Sequence, residues 1–151
     1  MVAIHPSEAQ LQAFLAGPED GPIVMINLLR WRERAEYPAG TSEPPCSGQE
    51  AYGRYSEGVT PLLAAAGGRP VWIGLGRATL IAPDGETWDQ AILVEYPSRK
   101  AFLEMTTSAD YQAIAHHRTA ALADSRLIAT SGTLVPPPPA MPVPPPPGAT
   151  A

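Results

Sequence analysis

The run Ile23-Val24-Met25-Ile26-Asn27-Leu28-Leu29 is the most apolar stretch of the chain, and it shows no polar–apolar alternation. Successive side chains of a strand point to opposite faces, so a strand with this pattern must be covered on both sides. Whatever fold the chain adopts has to place a layer above this strand and another below it. Asn27 interrupts the run. A buried amide must satisfy its donors and its acceptor, so it either pins neighbouring backbone or faces a polar pocket.

The segments around that strand read in order. Ser7 to Ala16 is a short amphipathic helix, with Ser7 and Gln10 in capping-box register, Leu11, Phe14 and Leu15 on its apolar side, and Gly17-Pro18 ending it. Arg34 to Gly48 has the Pro, Gly, Ser and Thr content of a surface loop and holds Cys46 as an exposed thiol. Gln49 to Ala66 is a helix whose stripe is Tyr52, Tyr55, Val59, Leu62 and Ala66; Pro61 is expected to bend it near Glu57, and Gly67-Gly68 stops it. Val71 to Ile81 is a second strand, with Gly74 and Gly76 on the face of Trp72. The turn Pro83-Asp84-Gly85 makes it a hairpin with the strand that follows Trp88. Ala91 to Tyr96 ends at a proline, Ser98 caps the next helix, and Ser108 with Asp110 offers a fresh cap that breaks that helix. Tyr111, Ile114, Arg118 and Ala121 then form one stripe, and Ser125 to Leu134 supplies a fourth strand. From Pro136 onward nine of sixteen residues are proline. Residues 1–134 are therefore read as one domain and 135–151 as a proline-rich disordered tail, dispensable for the fold.

After the leading helix the order is strand, helix, strand, strand, helix, strand. This is an α+β, ferredoxin-like βαββαβ pattern, with two helices on one face of a four-stranded antiparallel sheet. The other face would be bare, which the Ile23–Leu29 run does not allow, so a second copy is expected to cover it: a homodimer whose two sheets form a barrel. A hydrophobic content of 44% and a charged content of 17% suit one globular domain of this size. The formal charge of -5 argues against a nucleic-acid partner, since the only basic cluster, Arg30, Arg32 and Arg34, reads as a solvated strand end. A single cysteine excludes an internal disulfide and a cysteine metal site. A cytoplasmic protein with no signal peptide, no membrane span and no membrane partner is expected.

The phrases GPIVMINLLRWR, EAYGRYSEGVTPLLAAAGGRPVW, WDQAILVEYPSRKAFLEM and DYQAIAHHRTAALADSRLIAT resemble those of the bacterial domain-of-unknown-function family 1330 in the dimeric α/β-barrel superfamily. The resemblance covers about Ile4 to Thr130 and extends to Asn27, Tyr55, Tyr96, Tyr111, His116 and Arg118. It implies a fold and a dimer more than an activity. Superfamily relatives include cofactor-free monooxygenases of aromatic polyketides, isomerases, cyclases, dehydratases and haem enzymes.

On a regular helix His117 lies at the edge of the Tyr111-Ile114-Arg118 stripe, and His116 projects to nearly the opposite face. His117, His116 and Tyr55 are the candidate catalytic residues; Asn27, Arg118, Tyr96, Tyr111, Trp72 and Trp88 are the candidate substrate-binding ones. Adjacent histidines lack the three- or four-residue spacing that chelation from one helix face needs, so no metal is expected. GLGRAT at Gly74 to Thr79 lacks a third glycine and a following helix, and no nucleotide or other cofactor is expected. Two functions fit these residues. One is a cofactor-independent enzyme of small-molecule metabolism, aromatic or polyketide-like, in which Asn27 and Arg118 bind oxygen atoms and a histidine or tyrosine moves a proton. The other is a non-catalytic dimer that binds a hydrophobic ligand or serves assembly.

Overall fold

The structure is a computed structural model that describes residues 1–18 and 21–132. The proline-rich segment lies outside the described residues. Eight elements follow in order: α1 (Glu8–Leu15), β1 (Ile23–Trp31), α2 (Gly48–Ala65), β2 (Arg69–Leu75), β3 (Gln90–Tyr96), α3 (Arg99–Thr107), α4 (Ala109–Ala121) and β4 (Leu122–Thr130). The four strands make one antiparallel sheet in the order β2-β3-β1-β4, the ferredoxin-like arrangement. No helix among the described residues is long and apolar enough to cross a membrane.

Local chemistry sets most of the boundaries. Ser7 and Gln10 form the expected capping box, and Ser47 with Glu50 forms a second one at the start of α2. Ser98 caps α3, and Ser108 both closes α3 and caps α4 through Tyr111 N–H. Gly67 takes φ +76°, the left-handed turn that stops α2. The α2 helix runs through Pro61 without a break.

Two strand boundaries differ from the sequence reading. β2 ends at Leu75, and the chain from 76 to 89 is a long connection in which Leu80 and Ile81 are almost fully exposed. Gly76 N–H still bonds Asp89 C=O at 2.8 Å, and a Cβ on Gly76 would strike the Trp88 carbonyl, so the hairpin is pinched where the ladder stops. β4 begins at Leu122 rather than Ser125, directly after the last residue of α4, and ends at Thr130.

The register assigns the faces. Met25 and Leu29 are buried against the helices, so Asn27, of the same parity, lies on the helix side with its partners Ile92 and Leu127. Two clusters fill that side: Leu29, Ala51, Tyr52, Ala121 and Leu122 at one end, and Met25, Tyr96 and Met105 at the other. Complete burial of Leu29 and Leu122 stabilises by roughly 1.5–3 kcal/mol each. The opposite face carries Ile26 and Leu28 with Leu93, Ile128 and Trp72; Trp72 is 61% and Ile128 50% exposed. No helix among the described residues packs on it.

Asp124, the one buried carboxylate among the described residues at 5% exposure, ties the N-terminus to β4. Its Oδ1 accepts from Ala3 N–H at 2.8 Å, Ser125 N–H at 2.9 Å and the Arg126 guanidinium at 2.7 Å. Burial alone would raise its pKa, but these donors outweigh it and hold the carboxyl below its ordinary value. A depressed folded pKa gives stability that is present above the unfolded pKa of about 3.9 and is lost as pH falls through the folded value. Asp124→Asn is expected to lose roughly 1–3 kcal/mol at neutral pH. In denaturant titrations from pH 7 to pH 2, the gap between wild type and variant should close on the acid side of that window.

Candidate functional site

Beyond β1 the chain forms a loop from Arg32 to Ser47, held against the end of α4 by main-chain bonds. Arg32 N–H donates to Ala121 C=O at 2.8 Å, Glu36 N–H to Ala120 C=O at 2.9 Å, Ala35 N–H to Cys46 C=O at 2.9 Å, and Gly48 N–H to Arg32 C=O at 3.0 Å. A Cβ on Gly48 would lie 2.4 Å from the Arg32 carbonyl oxygen and 2.5 Å from that of Ala121, so only glycine fits the crossing. The loop is thereby laid over the C-terminal half of α4. Its Tyr37 and Glu43 reach His116 and His117, and Arg54 approaches from the second turn of α2.

These five side chains make one polar cluster. Tyr37 Oη is 2.7 Å from His117 Nδ1. Arg54 Nη1 donates to Tyr37 Oη, to Glu43 Oε2 and to the Pro44 carbonyl, each at 3.3 Å. Glu43 Oε1 lies 3.5 Å from His116 Nε2 and 3.8 Å from His117 Nε2. The two imidazoles are stacked with centroids 4.0 Å apart, and the Tyr37 ring meets that of His117 edge-on at 5.6 Å. Side-chain exposure falls from 39% at His116 through 27% at Glu43 to 13% at His117, so the cluster opens to solvent on the His116 side.

Burial lowers the pKa of His117, and the adjacent His116 and Arg54 add to this against the pull of Glu43. Burial also raises the Tyr37 hydroxyl, although Arg54 draws it the other way. Tyr37 therefore keeps its proton. With Arg54 donating to its oxygen, its own O–H is free to donate to Nδ1, which leaves the His117 proton on Nε2, toward Glu43. His117 is thus a largely shielded imidazole with one ring nitrogen bonded to Tyr37 and the other facing Glu43. Among the described residues, Glu43, His116 and His117 also bring one ligating atom each to within 4.8 Å of one another.

The sequence-predicted site residues divide into separate groups. His116 and His117 come together although only His117 was placed beside the Tyr111-Ile114-Arg118 stripe: neighbouring residues are 100° apart on a helix, and both rings lean toward Glu43. The spacing argument considered ligands from one helix face only, and Glu43 comes from the loop. Tyr55 and Tyr111 hydrogen-bond to each other at 3.1 Å between α2 and α4, and Tyr52 packs on Tyr55 at 5.3 Å. Burial pushes Tyr52 up to about 12 and Tyr55 further still, so these hydroxyls remain protonated and hold the two helices together. Tyr96 lies in the core, edge-on to Phe102. Trp72 lies on the uncovered sheet face, and Trp88 donates to Glu86 beneath the Arg126 guanidinium. Asn27 Nδ2 donates to the Met25 and Ile92 carbonyls at 3.2 and 3.4 Å, the backbone-pinning alternative. Arg118 donates to the Ile4 carbonyl at 3.2 Å and reaches Ser125 Oγ at 3.5 Å; neither bond is to Asp110 or Asp124.

Tyr37, Glu43 and Arg54 are absent from the sequence-derived set. For Tyr37 and Glu43 the one signal was the length of the 34–48 loop, since connections that long with no element of their own are commonly functional; Arg54, on α2, had none. Two surface clefts hold none of the five cluster residues: one of about 390 Å³ lined by Leu62, Ala66, Ala101 and Met105, and one of about 260 Å³ at Gly76 and Trp88.

If Asn27 and Arg118 serve the backbone as their bonds indicate, Asn27→Ala and Arg118→Ala should each lower stability by roughly 1–3 kcal/mol. Equilibrium urea unfolding checks this. A variant as stable as wild type would release that residue for ligand binding.

The model of the domain of unknown function DUF1330 matches residues 46–133. No curated protein matches the chain. Among solved structures, the Rhodopseudomonas palustris protein RPA0582, of unknown function, is 38% identical with a TM-score of 0.81 over 89% of this chain and 100% of its own. Its methylated form is 39% identical, also at 0.81, over 88% and 96%. A dimeric protein of unknown function and ferredoxin-like fold from Bacteroides fragilis is 16% identical, with a TM-score of 0.48 over 76% and 100%.

Proposed function

The chain belongs to the DUF1330 family of domains of unknown function, and from that footing we propose that it is a homodimeric enzyme of small-molecule metabolism that moves a proton on its substrate. Tyr37 and His117 are the proton-handling pair. His117 acts through Nε2, as acid in the tautomer that accepts from Tyr37 at Nδ1 and as base in the tautomer that donates to Tyr37 Oη, and Arg54 holds Tyr37 and Glu43 in place beside it. The observation that carries this reading is the 2.7 Å Tyr37–His117 bond inside a cluster of five polar side chains that opens to solvent at His116. General acid–base catalysis by one positioned group is worth about 10²–10⁴ in rate. An aromatic or polyketide-like substrate suits the tyrosine and imidazole rings at the cluster.

The second copy belongs on the sheet face of Ile26, Leu28, Leu93, Ile128 and Trp72. An apolar sheet face left in water is unfavourable at roughly 25 cal/mol per Å², and a symmetric dimer removes it. Light scattering should give about twice the 16.0 kDa chain mass. Ile128→Glu, which buries a charge at that contact, should give the single mass, and a monomeric wild type would sink the dimer.

For the chemistry, a panel of small aromatic and polyketide-like compounds should contain members that raise the melting temperature, and these are then assayed for turnover. His117→Ala is expected to lower turnover by about 10²–10⁴ while its own melting temperature stays within a few degrees. Binding without turnover would make the protein a binding module. Turnover that His117→Ala leaves intact would remove the cluster from the chemistry.

A further inference from the structure

We propose, on the footing that this cluster is the functional site, that Glu43, His116 and His117 bind one divalent first-row transition-metal ion, zinc being the representative case. Two imidazole nitrogens and one carboxylate oxygen are the donor set that catalytic zinc and related ions take, with a fourth position left open for water or substrate. The separations fit. Bonds of about 2.0–2.1 Å in a tetrahedron place the ligand atoms roughly 3.4 Å apart. Glu43 Oε1 is already 3.5 Å from His116 Nε2 and 3.8 Å from His117 Nε2. The two histidine nitrogens lie within 4.8 Å of each other, so the rings must draw together by at most about 1.4 Å to close the set, and side chains that are 13–39% exposed have room to do so.

A second feature points the same way. Metal-bound histidines commonly hydrogen-bond through their other ring nitrogen, which fixes the tautomer and the ring orientation. His117 has this arrangement: Nδ1 faces Tyr37 Oη at 2.7 Å, and Nε2 faces Glu43. When the ion takes Nε2, the proton moves to Nδ1 and Tyr37 changes from donor to acceptor, so in the metal-loaded protein His117 is a ligand and its acid–base role belongs to the metal-free form. Arg54 works against the ion by its charge, but it engages Oε2 and leaves Oε1 free. All three ligands come from one chain, so the site does not depend on a dimer.

The test uses the full chain freed of metal with a chelator. Titration with Zn²⁺ by calorimetry should give one ion per chain, together with a rise in melting temperature that EDTA reverses. Co²⁺ should give the visible absorption of a low-coordinate site and selectively broaden the imidazole signals of His116 and His117 over those of His5. Glu43→Gln and His116→Ala should each weaken Zn²⁺ by at least about tenfold, and Tyr37→Phe by about 10–100-fold, the range for outer-shell partners of a ligand. His5→Ala should leave binding unchanged. The wild-type broadening pattern decides the matter even if a variant fails to fold. Equal broadening of all three histidines, or variants that bind as wild type does, would mean an adventitious ion only and overturn the proposal. Chelator-treated protein with full His117-dependent turnover would overturn a metal role while leaving the proton-transfer reading in place. Zn²⁺ bound at these ligands by a protein that turns over no compound would do the reverse.

Discussion

The main-chain crossing at Arg32, Gly48 and Ala121 is the constraint on which the rest depends. One residue, Arg32, donates its N–H to the end of α4 and accepts at its C=O from the start of α2, at 2.8 and 3.0 Å. Each bond contributes only about 0.5–1.5 kcal/mol net. Their positional effect is larger, because β1, α2 and α4 meet within one residue's width and the loop between β1 and α2 has a single way to lie. Tyr37, Glu43 and Arg54 reach the histidines because that crossing is tight, and it is tight because residue 48 has no side chain.

The aromatic and charged residues divide the work according to burial. Tyr52, Tyr55 and Tyr111 fill the layer between α2 and α4, where burial drives the ionisation of Tyr52 and Tyr55 far out of reach. The less buried titratable pair, His117 and Tyr37, lies instead at the rim, with the more exposed His116 beside it. Glu43 and Arg54 neutralise each other there, so the cluster holds five polar groups without a large uncompensated charge.

Most of the fold was legible because local chemistry writes it. Ser7, Ser98 and Ser108 announce helix starts through side-chain bonds three residues away, and Tyr96-Pro97 marks the end of a strand. Apolarity misled at Leu80 and Ile81, which look like strand residues but have no ladder partner and stand in solvent. The site was half legible. His116 and His117 drew notice by type, whereas Glu43 is separated from them by more than seventy residues and joins them only through the loop's tertiary anchoring. Ideal helix geometry also separated the two histidines, since 100° per residue describes Cβ positions and not where flexible rings finish.

The passage from α4 to β4 has no connecting residue: Ala121 ends the helix and Leu122 begins the strand. Helix phase and strand parity are therefore locked together, and the chain has no slack at that point. One residue inserted there would turn every β4 side chain to the opposite face, taking Ser125 away from Ala3 and bringing Ile128 under the helices. The 76–89 connection is different in kind, because doubling a loop's length costs only about 0.6 kcal/mol of closure entropy. Length variation in this architecture thus belongs at the tip of the β2–β3 connection, and the histidine end of the molecule must keep its residue count.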